Sequence, residues 1–278
     1  MRGFQILATE NANIARAAGT VGTATLLSRI FGYVRDMVIA GFFGAGLMTD
    51  VFIAAFRVPN LLRRLFGEGS LAVSFIPVFS ECLATQGQAE AYRLAGAAIR
   101  LLILALTAVT ILGICFAPWI VRALAYGFID TPEKFSLTVS LTRIMFPYVF
   151  FIGLVALFMG ILNVLGHFAA PALAPVLLNL AMIGSVFTVS RFTPDPVFWV
   201  YGLAFGVVIG GVFQLLLQLP FLVQNGITFW RSSKMFHPEL RKIAAMFLPA
   251  TFGAAVLQIN ALVGNLLASY QPEGSISY

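Results

Sequence analysis

Five uncharged runs decide what this chain can fold into: Leu101–Val121, Ile144–Gly166, Phe168–Ser190, Val197–Trp230 and Ile243–Pro272. Each exceeds the roughly 20 residues that a helix needs to cross a bilayer. Composition agrees, with 60% hydrophobic and only 10% charged residues, where soluble domains carry about 25% charged residues. The expected fold class is all-α, a polytopic membrane helical bundle.

The first span is expected over about Ala17–Phe43. Small residues in its first half (Ala18, Gly19, Gly22, Thr23, Ala24) let another helix approach closely. Phe43–Gly46 reads as a tight turn. The second span starts near Thr49 and is expected to break at Arg57-Val58-Pro59, because Pro59 removes a backbone donor and biases Val58 away from helical geometry. A short helix then ends at Gly67 and Gly69, and Leu71–Leu83 either completes the second span or lies at the interface. The third span covers about Leu94–Leu124. The fourth covers about Leu141–Leu165, with Pro147 as a kink. The fifth covers about Ala169–Val189 and carries Pro171 and Pro175. The sixth covers Val197–Val223, and the seventh Ile243–Ser269, with Pro249 near its start. Gly202, Gly206 and Gly210 recur every four residues in the sixth span, which marks a packing face for another helix rather than a ligand site.

Against this apolar background, seven arginines fall between positions 29 and 100. Five of them (Arg29, Arg35, Arg57, Arg63 and Arg64) lie within Ser28–Ser70, together with Asp36, Asp50 and Glu68. A charge at the bilayer centre costs at least ~2.5–3.5 kcal/mol, so such residues face a watery cavity, a partner charge or a substrate. The block therefore points to a cationic pocket, and a cationic pocket to an anionic cargo. Arg29 and Asp36 share a helix face two turns apart, and a structural ion pair between neighbouring helices is an equal reading for Asp36. Arg35 points about a third of a turn away from that face. Local carboxylates are too few to neutralise every arginine, which favours a functional role for Arg35. Arg64 and Glu68 stand at pairing distance along a helix, and Arg63 and Arg64 also fit positive charges at a membrane surface.

Other chemistry is thinly represented. Cys82 and Cys115 form neither a metal spacing nor a disulfide framework and read as small buried side chains. His167 and His237 are isolated in the sequence and read as loop residues. The chain carries none of the common catalytic or nucleotide-binding motifs, so no cofactor and no metal is expected. The net charge of +6 does not suggest nucleic acid, because no basic stripe lies on a soluble face.

Loop charges set an orientation. With the N-terminus in the cytoplasm, cytoplasmic segments hold Arg2, Arg16, Arg63, Arg64, Arg93, Arg231, Lys234, Arg241 and Lys242, while outer segments hold only Arg122, Lys134 and Arg191. The N-terminal residues lack the apolar core and cleavage site of a signal peptide, so the first span is expected to serve as its own insertion signal. The ending QPEGSISY reads as a loop cut short, as expected of a piece of a longer transporter.

The block Ser28–Ser70 resembles the first two spans of the MurJ (MviN) family of lipid II flippases. The strings that carry the resemblance are SRIFGYVRD, FGAGLMTDVFIAAFR, PNLLRRLFGEG and SFIPVFSE. Ala117–Trp119, Phe146–Tyr148, Gly160–Asn163, Pro171–Asn179, Gln218–Pro220 and Leu257–Ser269 agree further along. The resemblance implies the first six-helix lobe plus the seventh helix of a fourteen-helix transporter of the multidrug/oligosaccharidyl-lipid/polysaccharide exporter superfamily. Residues 1–230 would form the N-terminal transmembrane lobe, and residues 231–278 the cytoplasmic linker and the seventh span that starts the second lobe.

It further implies a substrate-binding set of Arg29, Arg35, Asp36, Asp50 and Arg63, with Glu68 matching the acid of the family's F-x-E-G string. Arg29 would add field and position Asp36. The cargo would be lipid II, a polyprenyl diphosphate-linked muropeptide moved between leaflets of the bacterial cytoplasmic (inner) membrane, with membrane lipids and the missing C-terminal lobe as further partners. Guanidinium groups suit a diphosphate because they stay charged and offer paired planar donors. One departure concerns an acid that many family members carry in the seventh span for sodium. Gly264 stands there, with Asn265 next, which argues against sodium coupling. Alternatives to this transporter, which would not be an enzyme, are an exporter of another polyprenyl-linked glycan or of drugs, a non-transporting membrane scaffold, and a membrane transferase acting on lipid-linked sugars.

Overall fold

The computed structural model describes residues 2–65, 70–227 and 236–268, with side chains described over 18–65, 70–227, 236–256 and at Leu267. Among these residues all regular structure is helical. Helix α1 (Arg2–Phe43) stops where Gly44 takes φ 60°, a left-handed conformation that costs glycine no Cβ clash. The Thr49 hydroxyl donates to the Gly44 carbonyl at 2.6 Å and fastens the turn into α2 (Leu47–Leu65).

Helix α2 corrects one expectation. It runs without interruption through Pro59, whose ring removes one helical donor. A proline is tolerated where the surrounding helices hold the segment in place, and Pro59 is buried.

Eight further α-helices follow among the described residues. They are α3 (Leu71–Thr85), α4 (Gln88–Cys115), α5 (Ala117–Leu124), α6 (Pro132–Met145), α7 (Tyr148–Val164), α8 (Ala169–Ser190), α9 (Pro196–Gln224) and α10 (Leu240–Ala268). The expected third span is thus divided into α4 and α5 at Phe116, where Pro118 in the first turn of α5 cannot donate back to α4. The kink at Pro147 separates α6 from α7. Among the described residues the α6–α7 unit Pro132–Val164 is one of four stretches long and apolar enough to cross a membrane, with Gln88–Cys115, Ala169–Ser190 and Pro196–Gln224. Helices α1 and α2 carry Arg29, Arg35 and Asp36, and Asp50, Arg57, Arg63 and Arg64, and are less apolar for that reason.

Helix α3 continues the course of α2 along α7. Phe56 of α2 sits 6.1 Å from the Tyr148 ring at the start of α7. Near the end of α7, Gly160 faces Ile76 and Phe75 of α3. The two helices therefore follow α7 along its length, one after the other. Phe75, Phe79, Leu94, Ile99, Leu157 and Ile161 form one buried core there. A second core joins Val51, Phe52, Leu141, Met145, Tyr148, Met182 and Val207 from α2, α6, α7, α8 and α9.

The glycine row of α9 brings two helix backbones close together. A Cβ on Gly206 would lie 2.2 Å from Ser185 Oγ and 3.0 Å from the Ala181 carbonyl, and one on Gly210 would lie 2.9 Å from Leu178 Cα. Only a bare backbone lets α8 and α9 approach so closely. The small residues early in α1 behave differently. Gly19 and Gly22 meet nothing within 4 Å, and of that group only Ala24 is buried. Among the described residues their stripe faces no other helix.

The start of α10 is moored to α3 and α4. Leu240 and Ile243 enter the first core, and Lys242 Nζ lies 2.5 Å from Glu81 Oε2. His237, isolated in the sequence, meets Glu90 Oε1 through Nε2 at 3.0 Å. Its Nδ1 accepts the Glu239 backbone N–H at 3.2 Å, which leaves the ring proton on Nε2 for Glu90.

Candidate functional site

A cavity of about 740 Å³ opens between α1, α2 and α8. Each helix contributes a stripe at helical spacing. Ser28, Gly32, Arg35, Asp36 and Ile39 come from α1; Phe52, Phe56, Asn60, Arg63 and Arg64 from α2; and Pro175, Leu178, Asn179 and Met182 from α8. Residues three and four apart share one helix face, so each of these runs is one face of its helix.

Of the five expected site residues, Arg35, Asp36 and Arg63 meet at this cavity. The Arg35 guanidinium is held on two sides. Its Nε and Nη2 donate to Asp36 Oδ1 at 3.0 and 2.7 Å, and its Nη1 donates to Asn179 Oδ1 at 3.0 Å. Asp36 therefore pairs with its neighbour Arg35 and not with Arg29, contrary to the shared-face expectation. The flexible guanidinium folds back along the helix surface, which periodicity alone does not capture. On α2, Arg63 Nε donates to Asn60 Oδ1 at 3.0 Å.

Arg29 and Asp50 stand elsewhere. Arg29 is exposed and does not line the cavity. Asp50 lies about a quarter turn round α2 from the cavity stripe, buried against Lys134 of α6, with Oδ2 3.2 Å from Nζ. The Lys134 ammonium also sits 4.2 Å from the centre of the Phe128 ring. Arg57 is off the cavity stripe as well. Glu68 and the side chain of Asn265 lie outside the described residues, as does the region of Gly264 where side-chain surroundings would be read.

The described wall carries three guanidinium groups, Arg35, Arg63 and Arg64, against one carboxylate, Asp36. That excess of positive charge in a partly apolar trough favours an anion. Phe52, Phe56, Leu178 and Met182 supply an apolar floor beside it. Among the described residues no cluster of His, Cys, Asp or Glu has the arrangement of a metal site. Sequence reasoning missed Asn60, Asn179 and Lys134. A polar amide inside the uncharged run of α8 was the available signal for Asn179; Lys134 had the appearance of a loop cation.

Long apolar helices packed around a cationic trough define a multi-pass helical membrane protein of a transporter fold. A family model described as "Lipid II flippase MurJ" matches residues 39–278. The chain belongs to the MurJ family. It is 40% identical over 272 residues to "Lipid II flippase MurJ" of Burkholderia cenocepacia, covering 96% of this chain and 52% of that protein. It is 42% identical over 276 residues to "Probable lipid II flippase MurJ" of Bdellovibrio bacteriovorus, covering 98% of this chain and 52% of that one. The chain thus spans about half the length of these curated relatives. A solved structure titled "Lipid II flippase MurJ, inward closed conformation" aligns with TM-score 0.74 at 27% identity, over 93% of this chain and 52% of that one. A MATE protein solved in complex with MaD3S aligns with TM-score 0.71 at 15% identity, over 94% of this chain and 58% of that one, a likeness of fold alone.

Proposed function

We propose that this chain forms the first lobe and seventh helix of a flippase that moves lipid II from the inner to the outer leaflet of the bacterial cytoplasmic membrane. The single observation that carries the reading is the meeting of Arg35 and Arg63, from two different helices, on one cavity wall. Their planar donors suit the oxygens of a diphosphate. The apolar floor at Phe52 and Phe56 and the open flank of the cavity suit a cargo whose polyprenyl tail stays in lipid. Arg29 adds positive field from outside the cavity, and Asp36 and Asp50 hold Arg35 and Lys134. The N-terminus is cytoplasmic, residues 1–230 act as one lobe, and residues 231–278 lead through a cytoplasmic linker into the start of the second. A C-terminal lobe of the same protein supplies the facing wall, and rocking of the two lobes exposes the site to each membrane face in turn. No bond of the cargo is made or broken, so the protein is a transporter and not an enzyme.

The test is growth of cells depleted of their own lipid II flippase and supplied with the complete gene. Wild-type protein is expected to restore growth and lipid II exposure on the outer leaflet. An Arg35→Ala, Arg63→Ala double variant at normal membrane levels is expected to restore neither. Full restoration by that variant would overturn the reading.

A further inference from the structure

We infer that Asn179 is a positioning residue for the anion site, acting through Arg35; the inference rests on the reading of Arg35 as a diphosphate ligand. Asn179 sits inside α8 and is 5% exposed. Both ends of its amide cross to α1. Its Oδ1 accepts from Arg35 Nη1 at 3.0 Å, and its Nδ2 donates to the Ser28 backbone carbonyl at 3.3 Å. Ser28 and Arg35 lie two helical turns apart on α1, so one side chain spans the cavity wall between them.

The second bond decides the first. The Ser28 carbonyl is acceptor-only, so the Asn179 amide must turn its N–H₂ toward it and its oxygen toward Arg35. The orientation of the acceptor is thereby set by the backbone of α1, without any contribution from a ligand. Asp36 holds the Nε edge of Arg35 on one side, and its carboxylate is 64% exposed. Asn179 holds Nη1 on the other side and from a different helix. Together they fix the plane of the guanidinium relative to the cavity.

The chemistry of the group matters as much as its place. An amide accepts a hydrogen bond without bringing negative charge. A carboxylate at position 179 would accept from Arg35 equally well, but it would cancel charge that the anion needs and could not donate to Ser28. A guanidinium whose plane is already set loses less freedom when it pairs with phosphate oxygens.

The simpler alternative is that Asn179 only glues α8 to α1. A double-mutant cycle separates the two roles. The purified complete protein in lipid nanodiscs is titrated with farnesyl diphosphate. Asn179→Leu is expected to weaken binding about tenfold, the scale of one lost hydrogen bond to a charged group. The same change in an Arg35→Ala background is expected to have no further effect. Asn179→Asp is expected to weaken binding at least as much as Asn179→Leu, although it keeps an acceptor.

A second readout does not depend on the cargo. The Arg35 side-chain ¹⁵N signals, assigned by their loss in Arg35→Lys, are expected to show hindered rotation at Nη1 in wild type and free rotation in Asn179→Leu. If wild type fails to bind the probe while the ¹⁵N difference appears, the diphosphate reading falls and the positioning of Arg35 by Asn179 stands. An equal loss of affinity in both backgrounds, or unchanged Arg35 signals in a folded Asn179→Leu protein, overturns the inference.

Discussion

Lys134 Nζ lies 3.2 Å from Asp50 Oδ2, and both side chains are closed off from the surface, at 9% and 1% exposure. This bond ties the first turn of α2 to the first turn of α6. Removing one partner of a buried pair leaves the other charge uncompensated, at a cost of about 3–5 kcal/mol. Asp50→Ala and Lys134→Ala are each expected to lower the thermal stability of the detergent-purified protein, read by fluorescence-detected size exclusion after heating. The double Asp50→Leu, Lys134→Leu variant is expected to be more stable than either single variant. Single variants that melt like wild type would show that the pair contributes little.

Arg35 makes a different prediction because its partners line a cavity. Arg35→Ala is expected to abolish transport while membrane levels stay near normal. Arg35→Lys is expected to rescue only in part, since an ammonium keeps the charge but not the paired planar donors. Lipid II exposure on the outer leaflet, normalised to protein in the membrane, checks both. Loss of activity that merely follows degradation would make the arginine structural.

The α8–α9 contact predicts a steric effect. A side chain at Gly206 would strike Ser185 and the Ala181 carbonyl. Gly206→Leu is expected to destabilise the protein by several kcal/mol, in the upper range for overpacking a close contact. Gly22→Ala, where a Cβ meets nothing within 4 Å, is expected to leave the melting temperature unchanged or raised slightly, since alanine favours helix by up to about 1 kcal/mol. A thermal melt of each variant is sufficient.

Topology is open to direct labelling. With Cys82 and Cys115 replaced, a cysteine at the exposed Thr131 is expected to react with a membrane-impermeant reagent added outside the cell. One at the exposed Gln86, in the turn between α3 and α4, is expected to react only after permeabilisation. The opposite pattern would invert the orientation derived from loop charges.

The helices were legible because long uncharged runs and punctuating glycines are visible without a structure. Gly44 ends α1 at the expected turn, and Pro147 marks the expected kink, which here divides α6 from α7. Pro59 did not, because the neighbours that hold α2 together cannot be read from α2 itself. The arginine-rich trough was legible from the cost of charge in an apolar chain. Its exact membership was not. Asp50 sits about a quarter turn round α2 from the cavity stripe and turns to Lys134, a residue 84 positions away. Asn60 and Asn179 lie in strings that carry the family resemblance but bear no charge, and the cavity they line appears only when α1, α2 and α8 stand side by side.

The uninterrupted course of α2 through Pro59 has a mechanical consequence. Proline cannot donate to the carbonyl four residues before it, so the backbone loses one rung at Ala55. One end of the rod is bolted to α6 through Asp50, and the other end carries Arg63. The missing rung falls between the bolt and the guanidinium. Bending therefore costs least at the point that would swing Arg63 while leaving Asp50 and the α6 contact in place.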